Sequence, residues 1–267
     1  MKRFILVFAL FFAILGVFAV KTPTNSTVFA EKSNPRLVVV IDDFGSWDQS
    51  GVDTMLSINA PITCAVMPMV DNSEANSKAA REAGKEVILH MPMEAYVHLP
   101  ASWYGNIMIG NYDTKEQVYQ KLNTAFYSIE GADGFNIHIG SGVCLHEDVM
   151  GFIYDWSSEH NLPFLDSRTH INTVCEKVAN EKGIVYLGRD EFLEPEGNRS
   201  YAGVKSHLMT AANLAKEKGY AIAIGHVGVH GGENTAKAIK DSIDEIKDMG
   251  VEIVSLNTLY ESLKQTN

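Results

Sequence analysis

Two adjacent carboxylates, Asp42 and Asp43, close the apolar run LVVVI, and further apolar runs close on His90, His138, Asp166, the pair Arg189 and Asp190, and His226. Carboxylates and imidazoles in such positions suit proton transfer near neutral pH and the holding of a divalent metal ion. Two neighbouring carboxylates repel each other when buried without a cation, and a divalent ion removes that cost. One carboxylate and two imidazoles, with places left for water and a substrate oxygen, form a common catalytic set for zinc and related ions. The ion lowers the pKa of water and polarises a carbonyl, while a spare carboxylate accepts the water proton. A further imidazole outside the ligand set, His226, is then available to protonate a leaving group.

Each of these residues is a weak signal alone, since a histidine after a strand is often a hydrogen-bonded loop residue and an aspartate there a helix cap. What joins them is the fold. Short, continuously apolar segments at 37–41, 62–66, 86–89, 134–137, 163–165, 184–187, 221–224 and 252–255 read as strands buried on both faces. Helical stretches at 72–84, 114–129, 147–160, 202–218 and 233–248 lie between them, with caps expected at Asp71 or Asn72 and at Asp113 or Thr114. Seven or eight β-α units in this length predict an α/β barrel rather than an open doubly wound sheet, and no G-x-G-x-x-G follows the first strand. A barrel gathers its strand ends on one rim, so residues scattered along the chain converge there.

The blocks VVVIDDFG, GKEVILHMPME, GFNIHIGS, FLDSRT and AIAIGH, in this order between about Arg36 and Leu263, resemble the divergent polysaccharide deacetylases, a branch of the NodB-like carbohydrate esterases. The resemblance implies a distorted (β/α) barrel and metal-dependent removal of N- or O-acetyl groups from a carbohydrate, with a divalent ion, expected to be zinc. Carried over by position, it makes Asp42 the general base, Asp43 and His90 metal ligands, His138 the third ligand and His226 the general acid, with Asp166 and Arg168 orienting the base or the acid. The chain departs from the family pattern at two places. Better-studied members have H-x-x-x-H, whereas here Glu94 stands four residues after His90, so Glu94 is an alternative third ligand. FNIHIGS also replaces the family's Arg-x-Pro-Tyr block, which leaves the oxyanion donor unassigned.

A net charge of −11 over 267 residues, with no dense Lys/Arg stripe, argues against a nucleic-acid partner. Lys2 and Arg3 followed by the apolar run Phe4–Val20 read as an export signal, cleaved or kept as an N-terminal anchor. Residues 1–30 are thus expected to be a signal or anchor with a tether, followed by one extracytoplasmic domain over 31–267 that touches a membrane only through that segment. Three scattered cysteines make no disulfide framework. The rival readings are an exported glycan-binding protein of the same fold without turnover, and a serine hydrolase on Ser141, whose IGSGV context lacks the G-x-S-x-G elbow. In the long segment after His90, Tyr96, His98, Trp103 and Tyr104 are either a wall for a sugar ring or ordinary loop packing, and His230 meets substrate or solvent.

Overall fold

The computed structural model describes residues 34–129, 131–195 and 198–265; the segment expected to be an export signal and the start of the expected tether lie outside them. Strands β1 (Arg36–Phe44), β2 (Thr63–Val66), β3 (Glu86–Met93), β4 (Phe135–Ile139), β5 (Phe164–Asp166), β6 (Leu187–Gly188), β7 (Glu191–Phe192), β8 (Tyr220–His226) and β9 (Glu252–Val254) are paired in parallel throughout. Helices α1 (Val52–Leu56), α2 (Ser73–Glu82), α3 (Lys115–Ser128), α4 (Glu147–Glu159), α5 (Cys175–Glu181), α6 (Tyr201–Lys218), α7 (Gly232–Asp248) and α8 (Leu256–Lys264) connect or follow them. The five helices expected from periodicity are present. The short α1 and α5 are too brief to show a period, and α8 completes the last β-α unit.

The sheet runs β6-β5-β4-β3-β2-β1-β8-β7, with β9 paired to β1 off this path. One side of β1 pairs with β8 from Arg36 to Asp42; the other is divided, β9 lying beside Arg36–Val38 and β2 beside Val40–Phe44. The two ends of the path, β6 and β7, are separated in sequence only by Arg189 and Asp190. Three Cα steps reach about 11 Å at most, so the ends meet and the sheet must curl into the distorted barrel expected from the sequence. Asp190 spans this seam: its N–H donates to Ile222 O at 2.8 Å and its Oδ2 accepts from Ile222 N at 3.0 Å.

Alternation along the strands makes two apolar layers. Leu37, Val39 and Ile41 pack outward among helix residues such as Leu122, Ile153, Leu208 and Ile239. Val38, Val40, Ala65, Ile88, Leu165 and Ile222 point inward and form a separate core with Leu256, Leu259 and Tyr260 of α8. Glu86, the first residue of β3, accepts from Leu256 N at 2.8 Å and Asn257 N at 2.9 Å, which holds the start of α8 at the amino ends of the strands. The barrel is therefore stoppered at that end, and its polar residues collect at the carboxyl ends. Several strands run further than their apolar stretches suggest: Asp42, His90, His138 and His226 lie inside strands rather than in the loops after them.

Candidate active site

Strand parity decides which polar side chains enter the barrel. Asp42 continues the inward series of Val38 and Val40, His90 that of Ile88, and His226 that of Ile222 and Ile224; Asn136 and His138 alternate with the outward Phe135 and Ile137. Parity alone would send Asp43 to the helix side. Instead the β1–β2 register shifts between Ile41 and Phe44, and Asp43 takes the left-handed conformation at φ 69°. That bulge aims both carboxylates at one cavity, for a backbone cost of about 1–3 kcal/mol. Ile139 (φ 61°) and Arg168 (φ 49°), also left-handed, line the same cavity of about 400 Å³.

Asp43, His90 and His138 each offer one donor atom, and the three atoms lie within 4.8 Å of one another. His90 Nε2 is 3.0 Å from His138 Nδ1, and Asp43 Oδ1 is 3.4 Å from each. Tetrahedral zinc with bonds of about 2.0–2.1 Å sets its ligand atoms about 3.3–3.4 Å apart, so the triangle has the right size. The proton positions agree. Asn136 Nδ2 donates to Asp42 Oδ1 at 2.7 Å, which turns Asn136 Oδ1 toward His90 Nδ1, also at 2.7 Å. His138 Nε2 faces the carbonyl of Trp103 at 2.9 Å. Each neutral ring therefore carries its proton on the outer nitrogen and turns a lone pair inward, an arrangement that repels unless a cation sits between the rings. The donor set fits a divalent metal ion.

Burial pushes the Asp43 carboxyl up, but the adjacent His138 and His90 imidazoles outweigh it and hold the group well below the usual carboxylate range. Asp42 differs: burial prevails over His90, His226 and Asn136, and its carboxyl is raised, which makes it the better base of the two. For His226, burial is outweighed by its hydrogen bond with Glu194, and the imidazole is pushed up to about 9. The buried Glu194 accepts from His226 N at 3.0 Å, lies 3.1 Å from His226 Nδ1 and also accepts from Thr235 Oγ1. His226 lines the cavity, and its Nε2 makes no hydrogen bond among the described residues. Gly231 permits this approach, since a Cβ there would lie 2.3 Å from His226 O and 2.5 Å from Glu194 Oε1.

Other residues singled out from the sequence sit elsewhere. Glu94 is excluded as a ligand because β3 stays extended: four residues along a strand span about 13 Å, and Glu94 Oε2 accepts from Asn111 N at 2.7 Å instead. Asp166 follows the outward Phe164 and so faces away from Asp42 and His226, accepting from Arg168 N, Tyr186 Oη and Thr173 Oγ1. It reaches neither His226, whose Nδ1 faces Glu194, nor Asp42, which Asn136 holds. Asn136 was findable two residues before His138 on the same face. Glu194, 32 residues before His226, carried no such signal. Arg168 lines the cavity but bonds Tyr186 and Arg189 O rather than Asp42. Trp103 and the exposed Trp47 line an adjoining cleft of about 770 Å³ that shares Asp43, His138, Ile139 and His230 with the cavity. Tyr104 is buried and accepts from Ala95 N, whereas Tyr96 is exposed beside the His170 ring.

The family model for divergent polysaccharide deacetylases matches residues 39–260. The chain belongs to that family. Among relatives of this divergent polysaccharide deacetylase, an uncharacterized protein of Haemophilus influenzae is 28% identical over 229 residues, 86% of this chain and 78% of the relative. The uncharacterized protein YibQ of Escherichia coli is 28% identical over 209 residues, 78% of this chain but only 62% of YibQ. The crystal structure of the uncharacterized protein ATU2773 from Agrobacterium tumefaciens superposes with a TM-score of 0.76 at 18% identity, covering 86% of this chain and 91% of that one. A CE4 family pseudoenzyme from Bacillus anthracis shares the fold at a TM-score of 0.53 and 14% identity, over 86% and 66% of the two chains.

Proposed function

We propose that this family member is an exported hydrolase that removes acetyl groups from a carbohydrate with a bound divalent metal ion, zinc by preference. The observation that carries the reading is the triangle of Asp43, His90 and His138 donor atoms at 3.0–3.4 Å, with both imidazole lone pairs turned inward. A divalent ion held there would polarise an acetyl carbonyl and make water acidic enough to lose a proton near neutral pH. Asp42, kept basic by burial and fixed by Asn136, takes that proton. His226, kept protonated by Glu194, gives one to the departing sugar nitrogen or oxygen, so the products are acetate and a free amine or hydroxyl. The 770 Å³ cleft with Trp47 and Trp103 continues from the cavity and gives room for further sugar rings. The apolar run behind Lys2 and Arg3 supports a place outside the cytoplasm.

The test is metal content and acetate release on the purified protein beside Asp42→Asn. The variant keeps its metal and loses turnover by about 10² to 10⁴. Equal acetate release from both proteins would remove Asp42 from the mechanism. Metal retention with no acetate released from any acetylated glycan would leave a glycan-binding protein of this fold.

A further inference from the structure

The chain is acidic overall, with a net charge of −11, yet three of its six arginines, Arg168, Arg189 and Arg199, line the same 400 Å³ cavity as Asp42 and His226. None of the three forms an ion pair among the described residues; they are held by neutral acceptors. Arg189 donates to Ser167 O at 2.8 Å and Arg168 O at 3.0 Å, while Arg168 donates to Tyr186 Oη at 3.1 Å and Arg189 O at 3.0 Å. Arg199, exposed, reaches Val229 O at 3.4 Å. These bonds use Nε and one terminal nitrogen of each of the two inner guanidiniums. Among the described residues Arg189 Nη1 and Arg168 Nη2 make no hydrogen bond; Arg189 lies over the Phe192 ring and Arg168 over that of Tyr186.

The seating is built rather than incidental. Arg168 is left-handed at φ 49°, and a Cβ on Gly188 would lie 2.4 Å from Tyr186 Oη and 2.9 Å from Arg168 Nε, so position 188 must be bare for the pair to pack. Burial and the neighbouring Arg168 push the Arg189 guanidinium down despite Asp166, Glu191 and Asp42, whereas Tyr186, Asp166 and Asp190 outweigh burial and raise Arg168. Asp166 offsets part of the charge of both guanidiniums, and their open N–H groups, side by side, remain well shaped for an anion that accepts in pairs.

We propose that the cavity selects acetylated sugars bearing an anionic substituent, a carboxylate or a phosphate, bound by the free N–H groups of Arg168 and Arg189 with Arg199 at the mouth. This rests on the reading of the cavity as a site for acetylated carbohydrate, and it goes further by disfavouring neutral polymers.

The test measures binding to full-length, metal-loaded Asp42→Asn, so that turnover does not intervene. A hyaluronan tetrasaccharide is paired with neutral N-acetylated chitotetraose, and N-acetylglucosamine 6-phosphate with N-acetylglucosamine. The charged member of at least one pair binds roughly 10- to 100-fold tighter, and which pair responds separates carboxylate from phosphate. Adding Arg189→Gln brings that ratio close to one. If that variant fails to fold by circular dichroism, Arg199→Gln on the exposed rim carries the same test and narrows the ratio less. Equal affinities within both pairs, or a ratio untouched by the arginine variants, overturn the proposal. Charge preference without acetate release from the unsubstituted protein sustains the proposal while refuting hydrolysis. Acetate release from neutral and charged substrates alike does the opposite. Binding of none of the four probes defeats both.

Discussion

At the level of single residues, the site divides its two adjacent carboxylates by environment. Asp43 lies 3.4 Å from two imidazole nitrogens and is held ionised; Asp42 accepts from one amide, lies deeper and is more basic. His138→Ala removes one of three donors and leaves the Trp103 carbonyl without its partner, so the purified variant should carry well under half the metal of the parent by elemental analysis. Glu194→Gln acts on protons instead. His226 is raised to about 9 because the Glu194 hydrogen bond outweighs burial, so the variant's imidazole should lose its proton at lower pH and the alkaline limb of the rate profile should move toward neutrality. The same pair is linked to folding. A histidine raised above the unfolded value of about 6.5 contributes stability that is complete below that pH and lost as pH rises through about 9, so the melting difference between parent and variant should shrink over that window. Asp42, Asp43, His90, His138 and His226 were all legible because each follows an apolar run. Asn136 was signalled only by its place two residues before His138 on the same face, and Glu194, 32 positions upstream of its partner, left no local pattern.

At the level of elements, period two explains both the success and the errors of the sequence reading. Once a strand is placed, its inward series follows, and β1, β3, β4 and β8 deliver their polar residues to one space. Asp166 shares the helix-facing side of β5 with Phe164, two residues before it, and so meets Thr173 and Tyr186 rather than Asp42 or His226. Glu94, the alternative third ligand, stays apart from His90 because β3 is extended through Met93, and its carboxylate accepts from Asn111 N instead. The bulge at Asp43 was invisible, since DD reads as an ordinary strand end. The caps were clearer: Thr114 opens α3 in a reciprocal capping box with Gln117, and Asn72 precedes α2 without a side-chain cap bond. Thr114→Ala should therefore lower stability by about 0.5–2 kcal/mol in urea unfolding and leave bound metal unchanged, since α3 is remote from the ligands in function if not in sequence.

At the level of the whole molecule, the barrel is held by strand ladders except where the chain crosses from β6 to β7. Asp190 secures that seam through Ile222 and Lys218, and Asp190→Ala leaves Ile222 N with one acceptor fewer in a half-buried place. A loss of about 1–3 kcal/mol is expected by chemical denaturation, with faster amide exchange at 188–192 than elsewhere in the sheet. The stoppered interior has a different consequence. Beneath Asp42 and His90 lie Val38, Val40, Ile88 and Ile222, all fully buried, and then α8, so nothing as large as acetate can pass downward. With the floor closed, substrate and products share the opening at the carboxyl ends of the strands, and whatever enters last stands in the way of what was made first. In the proposed hydrolysis the trimmed sugar must step aside before acetate can escape, and added acetate should meet free enzyme and act as a competitive inhibitor.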